Sequence, residues 1–381
     1  MKLVISPGAF KHSLSAAAVA QAIAAGLTRS GLGADLVLLP IADGGNGTLD
    51  AFLVGGGQRI TRTVRDPLGR PIEAAFGLLS DQTAVIEMAL ASGLELLRPD
   101  ELDPLAATTY GTGQLMQAAL DAGAKRVIVG MGGSATVDGG AGCLQALGVK
   151  LLEANGAEIS PGGGHLRQSA QLDTSGLDPR WAQTEVIIAS DVDNPALGPD
   201  GAAAVFGPQK GASPTEVALL EANLHHFFTL VNDQLGVDVR SARGGGAAGA
   251  FSAGLMAFLG GQIQPGIDLI LEQLSFDEHL RDADLVITGE GQMDAQTVHG
   301  KGPIGVARRA RERGVPTVAL VGGLDADDAL LHEAGLWAVL SVVDKPMPLQ
   351  TALDHAAELV ERAALRLGYL LRIGTPGQQN V

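Results

Sequence analysis

The chain has 381 residues, 46 % of them hydrophobic and 18 % charged, and its mean hydropathy is +0.21. That is enough apolar surface for a well-packed core and enough length for two domains, so a disordered chain is excluded. The net charge of −16, from 26 basic and 42 acidic residues, argues against nucleic-acid or anionic-membrane partners, and any anion site must be locally electropositive.

Along the chain, KLVIS (2–6), the helical stretch 14–27 and ADLVLLP (34–40) form a βαβ opening, the start of a parallel sheet. The N-terminus lacks the apolar core and cleavage signal of a secretion signal, so it reads as a first strand and the expected address is the cytoplasm. Residues 58–89 alternate polar and apolar with turns at DPLGRP and SDQ, the pattern of antiparallel strands. Helices GTGQLMQAALDAG and GAGCLQALGV flank a Gly-rich turn, a loop-rich stretch covers 153–166, and TEVIIAS (184–190) is a strand. Ser213 with Glu216 and Pro214 marks a capped helix over 213–236, and GGGAAGAFSAGLMAFLGG (244–261) is a tightly packed helix. Late strands are expected at 282–291, 317–323 and 335–343, with helices at 300–314 and 348–371 and a frayed tail. The expected organisation is two α/β lobes, residues 1–60 with 275–381 and an inserted lobe of 61–274. Cys143, the one cysteine, admits no intrachain disulfide and sits on an apolar helix face, and His225 and His226 are read as packing or solvated residues.

The most informative segment is GMGGSATVDGGAG (130–142), after the strand KRVIVGM. Glycines there let backbone N–H groups approach an anion, and a helix opening at Asp138–Gly142 would point its positive end at the same spot. The same turn also serves many proteins for helix–sheet packing alone. GxxxxGK[ST] is absent, which argues against an ordinary P-loop kinase or GTPase. Four other segments set carboxylates, amides or lysines at the ends of apolar runs: PIADGGNGT (40–48), ASDVDNP (189–195), VFGPQKGAS (205–213) and VITGEGQMDAQT (286–297). A turn or N-cap role is the alternative for each carboxylate alone. Asp191 and Asp193, two apart on extended chain, suit a divalent metal or a base-plus-metal pair.

These segments, in this order, together with IEMALASGL (86–94), GTG (111–113), GGGAAGA and GKGPIGVA, resemble the bacterial type I glycerate kinase family over residues 2–325. The resemblance implies a two-lobed α/β protein, one lobe flavodoxin-like and one mixed lobe likened to a restriction-endonuclease core, with the active site in the cleft between. It implies ATP-dependent, Mg²⁺-dependent phosphorylation of D-glycerate, usually to 2-phosphoglycerate; a monomer or homodimer is expected. The residues support that chemistry on their own terms: Asp191 is expected as base, with Lys11 or Lys210 as point charge. Asp43, Gly44, Gly45, Gly132, Gly133, Ser134 and Asp138 are expected around phosphate or substrate. Arg65 and Arg70 are candidates for the substrate carboxylate, and Asp193 or Glu290 for Mg²⁺. The chain departs from the family pattern at five positions. It reads PGAFKHSLSA where PDSFKGSLSA is typical, which puts Gly8, Ala9 and His12 in place of Asp, Ser and a small residue. Asn46 stands for a usual Glu, and Gln292 for a usual Arg. Three readings follow: an active glycerate kinase, a kinase for another small hydroxy acid, or a catalytically impaired paralogue that binds glycerate or nucleotide. A nicotinamide-dependent oxidoreductase is the weakest alternative, because no GxGxxG follows the first strand.

Overall fold

The structure is a computed structural model that describes residues 1–42, 44–294 and 302–373. The strands are β1 (Lys2–Ile5), β2 (Asp35–Leu38), β3 (Gln58–Arg65), β4 (Pro71–Leu78) and β5 (Thr83–Glu87). They continue with β6 (Arg126–Gly130), β7 (Lys150–Leu152), β8 (Gln171–Asp173), β9 (Glu185–Ala189) and β10 (Gln262–Gln264). The last three are β11 (Leu285–Asp294), β12 (Thr317–Asp325) and β13 (Leu336–Ser341). The chain divides into two compact units, Met1–Asp43 with Ile267–Val381, and Gly44–Gly266.

The first unit is a parallel sheet in the order β2-β1-β11-β12-β13. That is the flavodoxin-like order, with its switch point between β1 and β11. Alternate residues face opposite sides of each strand. Leu3, Ile5, Leu285, Ile287, Val318 and Leu320 pack with the helices Ala16–Arg29 and Ala356–Ile373. Met293, Ala319 and Val321 pack with the helix Gly302–Glu312 on the other side. Ser15 caps the first helix by accepting from Ala18 N. Gly26 lets that helix meet the C-terminal one: a Cβ there would lie 2.1 Å from the Glu361 carbonyl oxygen. The long C-terminal helix expected from sequence is two, Leu349–Asp354 and Ala356–Ile373, because the backbone departs from helical dihedrals at His355 (φ −110°, ψ 19°).

The second unit carries a mixed sheet, β10-β9-β6-β5-β4-β3. Its first four strands are parallel, and β5, β4 and β3 form the antiparallel meander expected from the alternating pattern. The helix Pro214–Leu235 starts at the expected capping box, Ser213 and Glu216 bonding reciprocally, and buries Leu220, Leu224, Phe227, Phe228 and Val231 in one core. The expected loop stretch before β9 is bracketed by a two-stranded sheet of β7 and β8, and GQIQP supplies a short edge strand, β10. Helix Thr48–Val54 packs on β4 and β5, so this unit starts at Gly44, ahead of the expected cut near residue 60. None of the helices among the described residues is long and apolar enough to cross a membrane.

Candidate active site

In the second unit, Glu87, Gly130 and Ala189 are register partners at the C-terminal ends of β5, β6 and β9. Three family-like segments therefore emerge side by side from one sheet edge. The loop 44–47 lies on this edge: Gly132 N donates to Gly44 O at 2.9 Å and Met131 N to Ala189 O at 3.2 Å. A Cβ at Gly132 would sit 2.4 Å from Gly45 Cα, and one at Gly44 would sit 2.7 Å from Ala189 O. The glycines of both motifs are thus used for backbone-to-backbone packing. Glu87, buried in an otherwise apolar strand, accepts from Gly47 N and Leu49 N and so holds the start of the Thr48–Val54 helix. Burial raises its pKa, opposed by those two backbone donors. Asp43 lies outside the described residues.

Asp138, expected around phosphate or substrate, is fully enclosed. Its carboxylate accepts from Thr109 N (2.8 Å), Thr109 Oγ1 (2.9 Å), Gly140 N (3.1 Å) and Gly142 N (3.2 Å). The helix that follows spans only Ala141–Ala146. The anion at its start is the chain's own, and burial pushes the Asp138 pKa up against those donors. Lys210, a candidate point charge for phosphate, lies 2 % exposed. Its Nζ donates to Ser134 Oγ at 2.8 Å and Thr136 O at 2.7 Å, and burial lowers its pKa to about 7. Ser134 is nearly buried, Gly132 is half-buried, and Gly133 is exposed with φ +76°. The segment is pinned from its far side by Leu94 N to Gly133 O and Ala135 N to Ser92 O.

Asp191, just past β9, is exposed, and its Oδ1 accepts from Gly266 N at 3.1 Å. Asp193 is exposed too, but its two oxygens accept from Arg243 Nε and Nη2, both at 2.8 Å, which lowers its pKa. The metal-ligand reading of Asp193 therefore competes with a bidentate ion pair. Among the described residues, no cluster of three or more His, Cys, Asp or Glu is spaced to hold a metal. The run 244–246 wraps this segment, with Gly244 N on Asp193 O and Gly246 N on Asn194 O. Beyond it Ala248, Gly249 and Ala250 are all left-handed, and Gly139 N donates to Gly249 O. Arg65 ends β3 with its guanidinium 4.8 Å above the Tyr110 ring, and Arg70 is paired with Asp66 and Glu101.

In the first unit, the backbone before Lys11 runs beside the β11 segment that carries Glu290, at the switch point. Gly8 N donates to Gly289 O at 2.8 Å, and a Cβ at Gly291 would lie 3.2 Å from Lys11 N. Lys11 is exposed on the tip of a tight turn closed by Phe10 and Leu14. Glu290 and Asp294, both half-buried, share one face of β11.

A model of the glycerate kinase family matches residues 3–372. The chain belongs to the glycerate kinase family. It is 49 % identical over 366 residues to a glycerate kinase of Bacillus subtilis, covering 96 % of each chain. It is 45 % identical to the glycerate 2-kinase of Escherichia coli, covering 98 % of this chain and 99 % of that one. A crystal structure assigned as glycerate kinase 2 from Salmonella typhimurium LT2 superposes with a TM-score of 0.86 at 45 % identity, covering 98 % and 99 % of the two chains. Within this family two departures acquire a structural description. His12 stands at φ +65°, a left-handed position that favours glycine. Gly8 is not forced by packing, since a Cβ there would meet Gly289 O at an ordinary 3.5 Å. Sequence reasoning missed Glu87, Thr109 and Arg243. A lone acid in the apolar run TAVIEMAL was the one signal that could have found the first.

Proposed function

We propose that the protein transfers the γ-phosphoryl group of ATP to D-glycerate and forms 2-phosphoglycerate. The observation that carries this reading is Asp191, a solvent-facing carboxylate held by Gly266 N at the sheet edge where the Gly-rich turn begins, in a chain of this family. Asp191 takes the proton of the glycerate 2-hydroxyl as that oxygen bonds to the γ-phosphorus and the bond to the departing ADP oxygen breaks.

The turn suits an anionic oxygen. Of the N–H groups from Met131 to Ala135, those of Met131, Gly132 and Ala135 go to the carbonyls of Ala189, Gly44 and Ser92. Among the described residues this leaves the N–H groups of Gly133 and Ser134 for a ligand. Lys11 supplies exposed positive charge, and Arg65, its guanidinium over Tyr110, is available to the substrate carboxylate. Bound Mg²⁺ would supply charge neutralisation, and Glu290 and Asp294 of the first unit, hard oxygen donors on one strand face, would hold it.

The test is ADP release with ATP, Mg²⁺ and D-glycerate, with the product isomer read by phosphorus NMR. Turnover on the order of 1–100 s⁻¹ is expected, with the phosphate on the 2-oxygen. Turnover only with another small hydroxy acid would move the substrate. Glycerate binding without turnover on any acid would mark an impaired paralogue and defeat the proposal.

A further inference from the structure

Lys210 is a buried ammonium whose hydrogen-bond partners are both neutral, a serine hydroxyl and a backbone carbonyl. Among the described residues it makes no ion pair. The charged group that faces it is Asp138, and that carboxylate is already bonded to Thr109, Gly140 and Gly142. A buried charge without a counter-ion is costly unless something else balances it. Ser134 lies between Lys210 and the exposed Gly133 tip, accepting from Nζ, so its own O–H is left to donate.

We propose that Lys210 is a positioning residue that takes up a proton when an anionic oxygen of substrate docks on the Gly133–Ser134 turn, with Ser134 bridging the ammonium and the ligand. This rests on the anion reading of the turn given above. The unliganded lysine titrates at about pH 7, and a nearby negative charge raises that value, so ligand binding above neutrality draws in a proton. The anion is either the glycerate carboxylate or a nucleotide phosphoryl oxygen.

Titration calorimetry at about pH 8 in Tris and in HEPES, buffers of different ionisation enthalpy, measures the proton count directly. One arm uses D-glycerate alone, whose carboxylate stays ionised throughout; the other uses a non-hydrolysable ATP analogue with Mg²⁺. The arm that shows uptake of roughly half to one proton per ligand identifies the oxygen involved. In that arm the wild-type Kd should weaken by up to roughly tenfold per pH unit above about pH 7. Lys210→Met should bind without uptake. Lys210→Arg, charged throughout, should bind with neither uptake nor this pH slope. Wild-type binding with no buffer-dependent heat in either arm overturns the inference alone, as does uptake that persists in Lys210→Met. No binding of either probe would sink the anion reading of the turn and this inference with it. The wild-type measurement stands even if a variant fails to fold.

Discussion

Asp138 and Asp191 follow adjacent parallel strands of one sheet, yet they have opposite surroundings. Asp138 is enclosed and receives bonds from Thr109 and two glycine N–H groups. Asp191 is exposed at the sheet edge, oriented by Gly266 N. The lesson is that motif and strand position do not decide what a carboxylate does; a second segment folded over it does. In the 130–142 segment, the Thr109 region encloses Asp138, whose carboxylate serves the chain's own backbone donors, while the Gly133 tip stays exposed. In the 189–195 segment the glycine run 244–246 binds the backbone, and the carboxylates stay outside.

The largest expected effects separate the two sites. Asp191→Asn should lower kcat by about 10²- to 10⁴-fold while the urea midpoint stays near wild type. Asp138→Ala should reverse that pattern. Leaving its buried donors unsatisfied should cost about 3 kcal/mol or more in urea unfolding. If Asp138→Ala folded as well as wild type, the contrast would collapse.

Next in size is Glu87→Ala, which strips the acceptor from Gly47 N and Leu49 N. It should cost about 1–3 kcal/mol and raise the KM for substrate by loosening the 44–47 loop, measured by unfolding and kinetics together. The pH dependence of stability gives a sharper view of the covered segment. Burial lowers Lys210 from its ordinary 10.5 to about 7, so between these values the unfolded chain binds more protons than the folded one. The stabilising contribution is complete above 10.5 and is lost as pH falls through about 7. Wild type should therefore gain stability relative to Lys210→Met as pH is raised from about 7, and a parallel pH profile in the two proteins would contradict the burial.

The smallest effects lie at the surface. Breaking the exposed Arg243–Asp193 pair with Arg243→Ala should change stability by less than about 1 kcal/mol. His12→Gly relieves the left-handed backbone at φ +65° and should stabilise the Lys11 turn by up to about 1 kcal/mol, seen as a small rise in Tm.

Much of the scaffold was legible in the chain. Short continuous apolar runs gave β1, β6, β9 and β12, the polar alternation of 58–89 gave the meander, and Ser213 with Glu216 gave the start of the Pro214–Leu235 helix. These signals are local: each is set by residues a few positions apart. β7, β8 and β10 were not legible, because three-residue strands hold too few residues to show a period and exist through the partners they pair with. The break at His355 was hidden for the opposite reason, since both of its flanks are good helix.

The sequence by itself determined the motif set and its order, and with them the family, and it marked Asp191, Lys11 and the Gly-rich turn as the places to look. Only the tertiary structure decided what those residues face. Lys210 reaches Ser134 across 76 positions of chain, Asp193 meets Arg243 across 50, and Glu87 meets Gly47 across 40. A polar side chain's burial depends on whether such distant donors and acceptors arrive to satisfy it. No local spacing encodes that, so the difference between an enclosed and an exposed carboxylate emerged only once the segments had been folded together.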